Sequence, residues 1–424
     1  MSTLLEPVPP AVALEPPTCH FCGSDLRHSF LDLGMSPLSN AYVSEADLRR
    51  AEKFYPLHAF VCDGCLLVQL EEHESPEHIF SEYAYFSSFS DTWLAHCRDY
   101  ASSIASRLSL RRENFVVELG SNDGCLLKSF ADRGLEVLGV DPAANVAEVA
   151  MQAGVPTLVR FFGVSVAREI LAAGRPADLI VANNVLAHAP RLNDFVGGMK
   201  RLLGQTGVVT LEFPHLLRLM EENQFDTVYH EHFFYFSLLA VQRVFDAHGL
   251  TLFDVEEIPT HGGSLRTYLR HREDESRPVR GTVAELLERE RLAGLERIDT
   301  YVSFGAGVER IKRDLLKLLI EAKDSGQSVV AYGAAAKGNT LLNYCGVRTD
   351  FIDFVADRNP YKQDRYLPGT RIPICHPDRI RDARPDLVLI LPWNLAEEIV
   401  GQLSYIRDWG GRFVLPIPDV RVVT

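Results

Sequence analysis

The sequence predicts an α/β protein in three parts: a small N-terminal metal-binding module, a central doubly wound domain, and a second, similar unit at the C-terminus. Three observations carry this reading. Apolar strand-like runs alternate with helical patterns through the middle of the 424 residues and again near the end, as in a parallel sheet covered by helices. Both regions open with a strand that runs into a glycine-bounded turn, Phe115 to Gly124 and Ser328 to Gly338, and in both the next strand stops at an acid, Asp141 and Asp357. Ahead of them, four cysteines form two C-x-x-C pairs.

The bulk properties set bounds. This length divides into two or three domains, and a hydrophobic content of 46% is ordinary for a globular protein. The chain shows no run of 18 apolar residues and no cationic leader, so no membrane partner and a cytoplasmic location are expected. A net charge of −14 offers no basic field for phosphates and argues against nucleic acid as a partner. An anionic small molecule would have to meet a local group of Arg and Lys, and no obligate protein partner is evident. Residues 1–17, rich in Pro and Ala, read as a disordered tail. The expected divisions are then 18–75, 76–275 and 276–424.

The first element is the pair Cys19-His-Phe-Cys22 and Cys62-Asp-Gly-Cys65. Two such knuckles about 40 residues apart can set four thiolates tetrahedrally around Zn²⁺, with no position left open for chemistry, so the metal is read as structural. A redox pair or buried free thiols are the alternatives; a disulfide framework fits poorly without a secretory signal. Between the knuckles Leu33 to Ala41 is turn-rich. After them, Ile79 to Ser88 gathers aromatics and hydroxyls, and Tyr83 and Tyr85 either reach over a site as a lid or pack between domains.

The central element is Asn114-Phe-Val-Val-Glu-Leu-Gly-Ser-Asn-Asp-Gly-Cys-Leu-Leu127, a strand, a turn and a helix. Gly120 permits the sharp turn and Gly124 a close approach of the helix to a ligand. With Glu118 ahead of two glycines the form is E-x-G-x-x-x-G, and it resembles the first motif of class I methyltransferases, which use S-adenosylmethionine (SAM). Asp141 ends the next strand, where an acid can take both ribose hydroxyls of a nucleoside. Glu118, Gly120, Ser121, Asn122, Gly124 and Asp141 are therefore the candidate donor residues. Further strands are expected at Gly154 to Leu158, Asp178 to Asn183 and Gly207 to Phe213. The resemblance implies that the end of the Asp178 strand, Asn183, faces the donor, with His188 just beyond.

Tyr229-His-Glu-His232 follows within a ring of aromatics. His232 or His230 could act as a base with a pKa near neutrality, and Glu231 could orient an imidazole. Core histidines satisfied by backbone groups are the bland alternative. A metal site fits poorly, because the i, i+4 histidine pair of a zincin helix is missing. Thr260-His-Gly-Gly-Ser264 joins two strands; it is either a plain hairpin turn or an anion site of His261, Gly262, Gly263 and Ser264. A charged helical stretch from Thr282 to about Lys323 repeats Tyr301, Phe304, Val308, Ile311, Leu315 and Leu318 at helical spacing and bridges into the last unit. There Gly333, Ala335, Lys337, Gly338 and Asn339 form the turn and helix start that could hold a diphosphate, with Asp357 placed for a ribose. Packing alone is the other reading.

Together the paired C-x-x-C module, E-L-G-S-N-D-G, Y-H-E-H, T-H-G-G-S-L-R and G-A-A-A-K-G-N resemble the sugar C-methyltransferases of deoxysugar biosynthesis, which act on dTDP-linked 4-keto-6-deoxysugars. The resemblance spans nearly the whole chain. It implies a zinc module, a SAM-binding Rossmann-like domain and a C-terminal Rossmann-like domain that helps hold the nucleotide-linked deoxysugar substrate. It also implies His232 as base, with Tyr229, Glu231, Tyr83 and His188 as further active-site residues. The chemistry is coherent: a C4 ketone acidifies the C3 hydrogen, a base forms the enolate, donors near the oxygen stabilise it, and the carbon takes the sulfonium methyl. Two other classes remain at this stage, a SAM enzyme acting on a hydroxyl or amine, and a nucleotide-binding redox protein.

Overall fold

The computed structural model describes residues 16–80, 86–89 and 91–423. Tyr83 and Tyr85, and residues 1–15 of the expected tail, lie outside the described residues.

The N-terminal module is an antiparallel meander of β1 (His28–Ser36), β2 (Tyr55–Val61) and β3 (Val68–Leu70). The central sheet follows, with β4 (Phe115–Leu119), β5 (Glu136–Asp141), β6 (Thr157–Val159), β7 (Ala177–Asn183) and β8 (Leu203–Pro214). The two-residue β9 (Phe234–Tyr235) leaves this domain and pairs with β3, so the aromatic segment after Y-H-E-H closes the module's sheet. A hairpin of β10 (Leu250–Ile258) and β11 (Ser264–His271) completes the central sheet in the order β10-β11-β8-β7-β4-β5-β6. The run β8-β7-β4-β5-β6 is parallel as the strand–helix alternation predicts, and the two strands around Thr260 to Ser264 extend it in antiparallel pairing: β11 runs antiparallel to both β8 and β10. The connection between β10 and β11 is too short for a crossover, which a parallel pair requires.

The C-terminal sheet has the order β14-β13-β12-β15-β16-β17, from β12 (Val329–Tyr332), β13 (Val355–Ala356), β14 (Ile374–Cys375), β15 (Leu387–Ile390), β16 (Arg412–Leu415) and β17 (Arg421–Val423), with only β17 antiparallel. The bridge is three helices, Gly281–Leu292, Ile298–Val302 and Gly305–Asp324, rather than one continuous stretch. In the last, Val308, Ile311, Leu315 and Leu319 are buried on one face, a spacing of three, four and four. The stripe therefore ends on Leu319, and Leu318 sits at its margin.

Packing does not break at residue 75. One apolar core runs from Cys19, Leu26 and Leu67 of the module into Leu119, Leu211 and Phe213 of the central sheet. A second runs from the module's other face, Phe30, Leu57 and Leu70, into Val308, Leu341 and Leu389 of the bridge and C-terminal unit. The module is thus a wedge between the two larger units. In both of these, the strand order reverses beside the glycine turn, between β4 and β7 and between β12 and β15. Such reversals open crevices at the carboxyl ends of strands.

Candidate active site

A cavity of about 770 Å³ lies where the three parts meet. On one side it is lined by Glu118, Gly120, Ser121, Asn122, Asp141 and Asn183 from the ends of β4, β5 and β7. Gly120 has φ +68° and a Cβ there would stand 2.7 Å from Val185 Cγ2, so the turn demands glycine. Asp141 is buried and accepts the backbone N–H of Asn122 at 2.8 Å and of Ala143 at 2.9 Å. Those bonds leave lone pairs for a diol. Burial holds its carboxyl above the usual range. Glu118 Oε2, Ser121 Oγ and Asn183 Oδ1 are buried with no hydrogen-bond partner. Unsatisfied buried polar atoms along a cavity wall are groups a ligand could meet, and the hydroxyl- and amine-rich body of SAM fits this donor and acceptor set. Gly124 does not line the cavity: its added Cβ would lie 3.0 Å from Ala150 Cβ and 3.2 Å from Val155 Cβ, so it packs helix on sheet.

On the opposite side stand His188, Tyr229, Glu231, His232 and His261. The segment 229–232 is a tight turn, with His232 N–H donating to the Tyr229 carbonyl at 2.9 Å, not the extended run in which alternate residues share a face. The turn brings Tyr229 Oη to 2.9 Å from His232 Nε2 and sends His230 away to the module, where its Nε2 donates to the Pro56 carbonyl at 3.2 Å. His230 does not line the cavity. His232 Nδ1 lies 3.2 Å from the Thr227 carbonyl, an obligate acceptor, so Nδ1 carries the hydrogen and Nε2 accepts from the Tyr229 hydroxyl. His188 Nδ1 likewise donates to the Glu231 carbonyl at 2.6 Å. The imidazoles do not titrate near neutrality as the sequence led us to expect. Burial lowers His188, His230 and His261 to about 4, and burial together with His188 puts His232 well below its ordinary value. Glu231 also lines the pocket, and burial pushes its carboxyl up to about 7.

The third wall is Ala335, Ala336, Lys337 and Lys362 of the C-terminal unit with Leu38, Asn40, Ala41 and Tyr42 of the module. Lys337 Nζ donates to Asn394 Oδ1 at 2.7 Å and lies 4.6 Å over the Trp393 ring. Several expected substrate residues serve the backbone instead and do not line the cavity. An added Cβ on Gly333 would stand 2.5 Å from Pro392, on Gly338 2.8 Å from Leu391, and on Gly262 2.7 Å from Trp393. Gly263 packs on Arg218, the Ser264 hydroxyl turns back to the Thr260 carbonyl at 2.9 Å, and the Asn339 amide donates to the Ser39 carbonyl at 2.6 Å. Asp357 accepts from the N–H of Ala334 at 2.7 Å and of Asn359 at 2.8 Å, tying down its own turn.

Sequence reasoning missed Asn40, Tyr42, Lys362 and Trp93. Trp93 lines the cavity and lies between the rings of His96 at 5.0 Å and His261 at 6.0 Å. None belongs to a motif; Tyr42, an aromatic standing alone two residues after the Asn40 amide, carried no periodic signal.

The four thiols meet at one point. Their sulfurs lie within 4.8 Å of one another, with Cys22–Cys62 at 3.4 Å and Cys19–Cys65 at 3.6 Å. A tetrahedron of Zn–S bonds of ~2.3 Å has edges of roughly 3.8 Å, so the set fits Zn²⁺. Gln69 Nε2 donates to Cys19 Sγ at 3.2 Å, a second-layer bond of the kind that supports thiolate ligands. Among the described residues no helix is long and apolar enough to cross a membrane.

Three family models match the chain: a zinc binding domain over residues 19–80, a methyltransferase domain over 93–255 and a C-methyltransferase C-terminal domain over 259–418. The C-methyltransferase NovU of Streptomyces niveus is 36% identical over 406 residues, 96% of each chain. Among solved structures, magnesium protoporphyrin IX methyltransferase from Synechocystis is 13% identical with a TM-score of 0.32, covering 46% of this chain and 88% of that one. A SAM-dependent methyltransferase from Clostridium acetobutylicum is 11% identical with a TM-score of 0.32, covering 41% of this chain and 90% of that one.

Proposed function

This chain belongs to the SAM-dependent C-methyltransferases with a zinc-binding module, and from that premise we propose that it methylates C3 of a dTDP-linked 4-keto-deoxysugar through an enolate. One observation supports this above the others. A neutral imidazole, His232, shares a single cavity with the polar cradle of Gly120, Asp141 and Asn183. A carbon acid needs an unprotonated base beside it, whereas methylation of an amine or hydroxyl needs less.

SAM, when bound, supplies an electrophilic methyl group. Asp141 would hold its ribose, and Glu118, Ser121 and Asn183 its remaining polar groups. His232 Nε2 would take the C3 proton, becoming an imidazolium whose Nδ1–H stays on the Thr227 carbonyl. The Tyr229 hydroxyl, which holds the Nε2 lone pair until substrate enters, would turn onto the C4 oxygen, clearing Nε2 for the proton and donating to the developing oxyanion. His188, which lines the cavity, is fixed through Nδ1 by the Glu231 carbonyl, leaving its Nε2 unprotonated. Lys337 and Lys362 give an otherwise acidic chain two local cations for the diphosphate. The division into donor domain and acceptor domain, and a reducing cytoplasmic setting for its free thiols, belong to the same proposal. Incubation with SAM and a panel of dTDP-4-ketosugars, read by mass spectrometry, tests it. A product 14 mass units heavier whose new methyl carbon is bonded to C3 is expected; methylation only on oxygen or nitrogen would overturn it.

A further inference from the structure

We propose that Asn40, a side chain of the zinc-binding module, is a positioning residue for the reaction, holding Glu231 in the ionised state the enzyme uses. The inference rests on the C-methyltransfer reading above.

Glu231 is buried, and its hydrogen bonds among the described residues come from one group. Asn40 Nδ2 donates to Oε1 at 2.7 Å and to Oε2 at 2.8 Å. A single amide facing both oxygens is the partner of a carboxylate; a protonated carboxyl would turn a hydroxyl toward a donor. Asn40 is itself oriented. Its Oδ1 lies 3.3 Å from the Tyr42 hydroxyl, which donates to the Ala334 carbonyl at 2.6 Å. Lys362 Nζ donates to that same carbonyl at 2.8 Å, 5.4 Å from the Tyr42 ring. The backbone around Asn40 is clamped on both sides. Asn339 Nδ2 holds the Ser39 carbonyl at 2.6 Å, and Val43 pairs with Tyr366. Thr340 Oγ1 donates to the Val228 carbonyl at 3.0 Å, fixing the start of the turn that carries Glu231. A strap leaving β1 thus places one amide against one buried acid 191 positions away.

The charged and titratable groups around Glu231 are few. Lys362 and Asp357 lie on the C-terminal unit, 3.9 Å from each other, and Tyr42 on the strap. His188 bonds the Glu231 carbonyl, and His232 is the next residue. Among the described residues the cation acting on Glu231 is Lys362, and it is engaged with Ala334 and Asp357. Burial already drives the carboxyl to about 7, with Asn40 the larger of the two opposing influences and Lys362 the smaller. Removing the amide leaves burial nearly unopposed, so ionisation moves to higher pH. An ionised Glu231 would anchor a substrate hydroxyl, and the loss of that state appears as the acid limb of turnover.

The test is the pH–rate profile of full-length, zinc-loaded protein with SAM and a dTDP-4-ketosugar, for wild type, Asn40→Ala, Asn40→Asp, Glu231→Gln and the double variant Asn40→Ala/Glu231→Gln. Asn40→Ala is expected to move the acid limb of kcat upward by at least one pH unit, cutting turnover about fivefold or more at pH 7 and recovering toward wild type by pH 9. Asn40→Asp, isosteric but facing carboxylate with carboxylate, should move the limb further. In the Glu231→Gln background, Asn40→Ala should change kcat less than twofold, and SAM affinity should hold throughout. An Asn40→Ala loss that is equal at every pH, or that persists undiminished in the Glu231→Gln background, overturns the inference. If wild type itself yields no C-methylated product, it is the underlying reading of the reaction that has failed.

Discussion

Replacing His230 with Gln separates the two histidines of Y-H-E-H by their physics. His230 is buried, donates Nε2–H to Pro56, and leaves Nδ1 without a partner, so protonating it would bury an uncompensated charge. Burial brings its pKa to about 4 from an ordinary 6.5. The native state then binds fewer protons than the unfolded chain. Stability contributed above pH 6.5 is lost as pH falls through 6.5 toward 4. Integrated between pH 7 and pH 5, this one imidazole accounts for about 2 kcal/mol of acid destabilisation. Gln keeps a donor for the Pro56 carbonyl and does not titrate. His230→Gln is therefore expected to cost about 1 kcal/mol at pH 8, from the lost edge contact with Tyr55. Its stability should then fall about 2 kcal/mol less than wild type on going to pH 5. Urea melts at pH 5, 6, 7 and 8 read both quantities, and turnover at pH 8 should stay within a few-fold. Parallel stability–pH curves for the two proteins would refute the buried-neutral assignment. Loss of turnover at pH 8 with folding intact would place His230 in the chemistry.

Other outcomes follow from the same geometry. Asp141→Ala should weaken SAM binding by roughly 1–3 kcal/mol in calorimetry while leaving sugar-nucleotide affinity nearly unchanged, because it removes charge-assisted bonds to the ribose. Lys337→Met should raise KM for the sugar nucleotide about 10–100-fold, the range of one charge-assisted hydrogen bond, and spare SAM. Purified protein should hold about one Zn²⁺ per chain by elemental analysis, and Cys22→Ser should lower Tm and solubility more than intrinsic turnover, since the four clustered sulfurs would fill the metal's coordination and leave no position for chemistry. Glu231→Gln should stabilise the fold by about 3 kcal/mol at pH 8, because a carboxyl raised to about 7 from 4.5 loses stability as pH rises through that window.

Much of the donor side was legible because it depends on local pattern. A strand, a turn with φ +68° at Gly120 and an acid one strand later are all short-range features, and the cavity gathers Glu118, Gly120, Ser121, Asn122 and Asp141 from them, with Asn183 placed beside them by the resemblance alone. The C-x-x-C pairs read for the same reason. What was illegible is long-range or energetic. Nothing in the stretch around Asn40 announces that it meets Glu231 across three structural units. Glycine marks backbone shape without saying what the shape serves, so Gly124, Gly262, Gly333 and Gly338 read as ligand positions but pack against Ala150, Trp393, Pro392 and Leu391. Composition shows that histidines are present, while the burial that makes them poor acids appears only in the fold.

The central claim is that His232 takes the C3 proton, and isotope exchange tests it with no methyl transfer to confuse the readout. The enzyme is incubated in D₂O with the dTDP-4-ketosugar and S-adenosylhomocysteine in place of SAM, and deuterium at C3 is followed by NMR. Wild type should exchange the C3 proton, and His232→Ala, still binding SAM, should lose the exchange along with ~10²–10⁴-fold of turnover. Exchange that survives in His232→Ala but vanishes in His230→Ala or Tyr229→Phe would contradict the account and assign the proton to that residue instead.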